Sequence, residues 1–135
     1  MTQLRLQATR LFDGHNYSDN QVLTIEQGKI VAIDDDLTRV DKVLEGLTVP
    51  GYIDLQVNGG GGVLFNDSPS LNNLQTIIAA HSQFGTTGML PTLITDTVEV
   101  MAQAADAMAL AIASKVPGIL GVHFEGPHVS VSNKG

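Results

Sequence analysis

A chain of 135 residues, 43% hydrophobic and 16% charged, has the material for one ordinary domain with its own core and is too apolar to stay disordered. Its net charge of −7 comes without a basic patch, which excludes a nucleic-acid-backbone binder but leaves room for an anionic metabolite held by local dipoles and a few cations. Cysteine is absent, so disulfides, thiolate metal sites and cysteine nucleophiles are excluded together.

Met1 to Arg10 lacks the apolar core of a signal peptide, and no run approaches the ~18 apolar residues of a membrane helix. A cytoplasmic setting with no membrane partner is the expectation. Leu4, Leu6 and Ala8 alternate with polar residues and predict a half-buried strand. Asp13-Gly14 reads as a turn and Asn16 to Asn20 as a loop. Val22, Leu23 and Ile25 lead through Gln27-Gly28 to Lys29–Ile33, a β-hairpin with Gly28 at the turn. Asp34 to Asp36 reads as a solvated loop and Val43-Leu44 as a short strand, so residues 1–49 are expected to form a small antiparallel sheet.

The rhythm changes at Val49-Pro50-Gly51. A strand is predicted over 52–57, followed by the glycine run Gly59 to Gly62. A helix over 70–84 carries Pro69 in its first turn and Leu71, Leu74, Ile78 and His81 on one face. A strand over 86–94 follows. A second helix over 97–114 opens on Asp96 and Glu99 as a capping box, with Val98, Met101, Ala105, Met108 and Ile112 as its apolar stripe. A third strand over 119–125 completes a βαβαβ pattern, which predicts a parallel sheet.

Strand alternation sets Ile53, Leu55 and Val57 against Asp54, Gln56 and Asn58. It likewise sets Leu120, Val122 and Phe124 against Gly121, His123 and Glu125. In a parallel sheet both faces are usually covered, so polar groups at the C-terminal strand ends need partners or a function. Glu125 ends an apolar strand before Gly126-Pro127 and suits a metal ligand or an acid-base group; its plainer role is a structural carboxylate. His123 shares its face, and His128 falls on a loop. His15 and His81 read as structural or solvated. The glycine run lacks both the P-loop and the dinucleotide spacing, so a tight or flexible βα loop is its plainer reading.

Three segments together resemble the N-acetylglucosamine-6-phosphate deacetylases of the amidohydrolase superfamily. They are Val49-Pro50-Gly51-Tyr52-Ile53-Asp54-Leu55-Gln56-Val57-Asn58-Gly59, Gly85-Thr86-Thr87-Gly88-Met89-Leu90-Pro91-Thr92 and Gly121-Val122-His123-Phe124-Glu125-Gly126-Pro127-His128. The resemblance implies an α/β fold: part of a small β-sandwich over 1–49, then over 50–135 the first three strands or so of a (β/α)₈ TIM-type barrel. Such a barrel takes about 250 residues, so the chain is expected to be truncated.

The implied reaction is metal-dependent hydrolysis of the acetamide of an amino-sugar phosphate, giving glucosamine 6-phosphate and acetate. The implied cofactor is one divalent metal ion, zinc or iron, with Glu125 matching the family's metal-binding glutamate. Where many amidohydrolases carry His-x-His this chain reads Gln56-Val57-Asn58, which favours one metal over two and places Gln56 near the metal's water. Asn58, His123, Gly126 and His128 are further candidates for places beside the metal's ligands or the substrate, with a hydrogen-bonded structural role as the plainer reading of His123. Two histidine ligands, the aspartate base and a substrate-contacting histidine are expected after Gly135, and the 135-residue chain alone is expected to be inactive. A homodimer is implied for the full-length protein. The alternatives are another amidohydrolase acting on a cyclic amide or peptide-like bond, and a non-catalytic α/β protein that binds a sugar phosphate or a subunit.

Overall fold

The structure, a computed structural model, describes residues 3–133. Lys134 and Gly135, after which the substrate-contacting histidine is expected, lie outside the described residues. The chain divides into two compact units, Met1–Pro50 and Gly51–Gly135.

The first unit is a four-stranded sheet in the order β3-β2-β1-β4, with β1 at Leu4–Phe12, β2 at Tyr17–Glu26, β3 at Lys29–Asp34 and β4 at Lys42–Thr48. Gln27 and Gly28 both have positive φ, 51° and 75°, as a tight two-residue hairpin turn requires. The loop expected over 16–20 is instead largely strand. Asp13 closes a tight turn by accepting the N–H groups of His15 and Asn16, both at 2.8 Å, so β2 resumes at Tyr17 opposite Phe12. Those two rings stack across the strands with centroids 4.8 Å apart. The hydrogen bonds from Asn16 and His15 hold the Asp13 carboxyl below its ordinary range.

The sheet is also not purely antiparallel. β4 runs parallel to β1 on the side away from β2. Asp41 starts this pairing: its carboxylate accepts the Arg5 N–H at 2.7 Å, while its own N–H reaches Arg5 O at 2.9 Å. The Arg5 guanidinium reaches Asp34 and Asp36, each at 3.3 Å, and so ties down the acidic loop that was expected to be merely solvated.

In the second unit β5 (Tyr52–Val57), β8 (Thr86–Ile94) and β9 (His123–Glu125) form a parallel sheet in the order β5-β8-β9. A small hairpin, β6 (Gly59–Gly60) with β7 (Val63–Leu64), follows β5, so the glycine run is a tight turn with Gly61 and Gly62 at positive φ. This hairpin lies against helix α1 (Leu71–Ser82), where His81 Nε2 sits 2.9 Å from Gly59 O.

Ser70 caps α1 through its side chain and the Asn73 N–H, so Pro69 stands ahead of the cap rather than in the first turn. Helix α2 (Val98–Ala113) is capped by Thr97, one residue later than expected, because the Asp96 carboxylate is occupied by the Thr97 N–H and the Asn66 amide.

One core joins Leu74 and Ile77 of α1, Ala104, Ala107, Met108 and Ala111 of α2, and Met89 and Leu93 of β8. The helices therefore cover one face of the sheet. The buried stripe of α2 is only partly the predicted one: Met108 is buried and Met101 packs on the core, but Val98, Ala105 and Ile112 are exposed, and Ala104, Ala107 and Ala111 face inward in their place. Small side chains let this helix approach the sheet closely, and such packing outweighs the pull of its larger apolar residues. No helix among the described residues is long and apolar enough to cross a membrane.

Candidate active site

β8 and β9 end side by side at the Ile94–Glu125 pair, and β5 ends at Val57, opposite Pro91. Pro91 lies in the middle of the central strand and has no N–H to contribute to a ladder. Both neighbours are irregular beside it. Asp54 to Val57 spans three steps opposite two from Met89 to Pro91, and Ile119 to His123 spans four opposite three from Met89 to Thr92. Each flanking strand thus carries one extra residue, a β-bulge.

The bulges overturn the expected alternation. Ile53 pairs with Gly88 and is 61% exposed, whereas Val57 pairs with Pro91 and is 3% exposed within the helix-side core. Asp54 pairs with the helix-facing Met89, but Gln56 reaches the opposite, open face. In the third strand Val122 and Phe124 pack on the helix-side core, while Leu120 leaves them and is 55% exposed.

On the open face Gln56 Nε2 donates to Glu125 Oε2 at 3.1 Å. This joins the end of β5 to the end of β9 across β8. Glu125 is half-buried and pairs with Ile94. Its backbone is held as well, since Thr95 Oγ1 lies 3.1 Å from Glu125 O and 2.7 Å from Gly126 O. Gly126 turns the chain at φ 57°, where a Cβ would lie 2.6 Å from Val129 Cγ2.

Asn66 extends the end of β8 as a strand would. It accepts the Ile94 N–H at 2.9 Å and donates to Ile94 O at 3.0 Å, and the same amide nitrogen lies 3.0 Å from Asp96 Oδ2. This side chain is absent from the sequence-derived site, although Phe65-Asn66-Asp67 follows the glycine run after only Val63 and Leu64. Buried Phe65, whose N–H reaches Asn58 O at 2.9 Å, points the loop so that Asn66 meets Ile94.

Thr92 and His123 are paired neighbours on the open face, with Thr92 Oγ1 3.2 Å from His123 Nδ1. The structure therefore brings Gln56, His123 and Glu125 to one strand-end cluster. Asn58 is half-buried and contributes a backbone carbonyl, and His128 is exposed in the turn after Gly126. Among the described residues no three His, Asp or Glu side chains come together as a metal-binding group. The Glu125 carboxylate at this strand end fits one place in a metal's ligand set, since a catalytic zinc takes three protein ligands.

No family model matches the chain. It is 58% identical over 94 residues, 70% of its length, to the N-acetylgalactosamine-6-phosphate deacetylase of Shewanella sp. (strain ANA-3). It is 40% identical over 85 residues to the N-acetylglucosamine-6-phosphate deacetylase of Haemophilus influenzae. The crystal structure of N-acetylglucosamine-6-phosphate deacetylase from Pasteurella multocida superposes with a TM-score of 0.83 at 30% identity, covering 97% of this chain and 36% of that one. The chain spans 24% and 22% of the lengths of the two curated relatives.

Proposed function

We propose, on the premise that this chain is homologous to the N-terminal part of the N-acetylglucosamine- and N-acetylgalactosamine-6-phosphate deacetylases, that it serves the metal-dependent hydrolysis of the acetamide of N-acetylglucosamine 6-phosphate. The products are glucosamine 6-phosphate and acetate. The observation that carries the reading is the placement of Glu125, a carboxylate at the C-terminal end of a parallel sheet and held by Gln56. That end is where α/β sheets and barrels bind their ligands.

Glu125 is the residue of this chain that would hold a divalent metal. Its Oε2 accepts from Gln56, and its other oxygen has no hydrogen bond among the described residues. A metal bound there would polarise the acetamide carbonyl and activate water. Gln56 orients the carboxylate, Thr95 fixes the backbone behind it, and Asn66 keeps the end of β8 in register beside it. The remaining ligands and the base are proposed to be those the family resemblance implies, two histidines and an aspartate. Gly126 shapes the turn in which His128 lies.

Architecture belongs to the same proposal. We read the second unit as the start of a (β/α)₈ barrel. In support, Ile53, Leu55 and Leu120 leave apolar surface on the sheet face that the helices do not cover. We read the first unit as part of a β-sandwich, since Ile30, Ile33 and Leu47 are exposed on a lone sheet. A cytoplasmic homodimer remains part of the proposal.

A second substrate is favoured by a specific observation: the 58% identical relative is named for the galactosamine epimer. The test is acetate release by the gene product as expressed from its own reading frame, with each N-acetylhexosamine 6-phosphate, with and without a chelator. Chelator-sensitive release from the gluco substrate is expected. Faster release from the galacto epimer would establish the second reading, and release from neither would sink both.

A further inference from the structure

Thr92 lies in the central strand and is fully buried. Its hydroxyl oxygen has two polar neighbours, Leu90 O at 3.3 Å and His123 Nδ1 at 3.2 Å. A hydroxyl has one proton to give. Were it given to Nδ1, the hydroxyl oxygen and the Leu90 carbonyl would face each other as two acceptors in a place closed to solvent. Given to the carbonyl, the hydroxyl is free to accept Nδ1–H, and both contacts are satisfied at once. Burial strongly favours the matched arrangement, because an unpaired polar group there is costly.

The state of one imidazole nitrogen decides the other. With its proton on Nδ1, neutral His123 carries a bare lone pair on Nε2. That atom has no hydrogen-bond partner among the described residues, nor is it sealed from solvent as an unsatisfied buried atom. Strand alternation puts it on the same face as Glu125, two residues on.

We infer that Thr92 is a positioning residue: it holds His123 as the Nδ1–H tautomer and so presents Nε2, beside Glu125, as an acceptor for a hydrogen bond from the bound ligand. The inference rests on the proposed active site for its ligand, while the tautomer itself does not depend on that reading. Threonine suits the task because its methyl group packs within the sheet while its hydroxyl serves as donor and acceptor together.

The test is ¹⁵N NMR of the imidazole in the 135-residue chain, on the alkaline plateau of its ¹⁵N shifts, where the ring is neutral. His123 should show a protonated Nδ1 and a pyridine-type Nε2. Thr92→Val keeps the side-chain shape and removes the hydroxyl; the ratio of Nδ1–H to Nε2–H should fall about 2- to 10-fold, the range of one net hydrogen bond. Thr92→Ser should restore it. A wild-type ring protonated mainly on Nε2 overturns the inference even if Thr92→Val does not fold. So does an unchanged ratio in folded Thr92→Val, or no recovery in folded Thr92→Ser.

Adding N-acetylglucosamine 6-phosphate to the gene product should move the Nε2 resonance, and an unmoved resonance at saturation overturns the ligand contact alone. Failure of acetate release with the tautomer result intact would sink the deacetylase reading and leave the Thr92–His123 pair standing.

Discussion

Gln56 and Glu125 meet across an intervening strand, Nε2 to Oε2 at 3.1 Å, because β5 carries one residue more than β8 beside Pro91. Without that extra residue strict alternation would place Gln56 on the face of Asp54, toward the helices. The bulge sends Val57 into the core and Gln56 to the open face, so a defect in the ladder builds the contact that orients the carboxylate.

Glu125→Gln keeps the side-chain size and removes the charge. In the gene product it should leave the fold intact and strip divalent metal and acetate release together. Gln56→Ala should cost about 10-fold in metal affinity, the lower end of what an orienting partner contributes. Metal content per folded chain decides between them. Full metal and near-normal turnover in Glu125→Gln would make Glu125 a structural carboxylate.

Asn66→Ala removes the groups that pair with Ile94 N–H and Ile94 O. Two part-buried backbone groups lose their partners, so the expected destabilisation is about 1–3 kcal/mol. It should be local, with faster amide hydrogen exchange at Ile94 than in α1 and α2. Uniform acceleration across the second unit would show that Asn66 supports the whole core and not this strand end.

Gly59→Ala would set a Cβ 2.3 Å from Val63 O, a backbone atom with little room to retreat. The β6-β7 hairpin should open, at a cost of about 1–3 kcal/mol typical of overpacking. Denaturant midpoints measured beside those of Gly62→Ala separate the causes. Gly62 has open space but a φ of 85°, so that variant reports backbone strain alone. A Gly59→Ala protein as stable as wild type would contradict the tight packing of this hairpin.

The Asp13 carboxyl is held below the ordinary carboxylate range, first by the Asn16 N–H and then by that of His15. The turn's contribution to stability is therefore present above the unfolded-state pKa and is lost as pH falls through the lower native one. NMR titration of Asp13 should give a midpoint below the ~3.9 of a free aspartate. Asp13→Ala should flatten the acid limb of the first unit's stability curve, and an unshifted midpoint would refute the Asx turn.

Sequence alone determined the order of elements in this protein: the Gln27-Gly28 hairpin, both helices within a few residues, the three parallel strands, and Glu125 at a strand end. These signals are local, since turn chemistry and the two periods of 2.0 and 3.6 residues are written in consecutive positions. Tertiary structure decided what depends on residues far apart in the chain. Arg5 and Asp41 set β4 parallel to β1. Close packing turned Ala104, Ala107 and Ala111 of α2 inward and left Val98 and Ile112 outside. Asn66 reached Ile94, 28 residues on, and Thr92 met His123, 31 residues on. Pro91 shifted both neighbouring ladders, so the face on which Gln56 emerges was set by the strand beside it, which no alternation within β5 can encode.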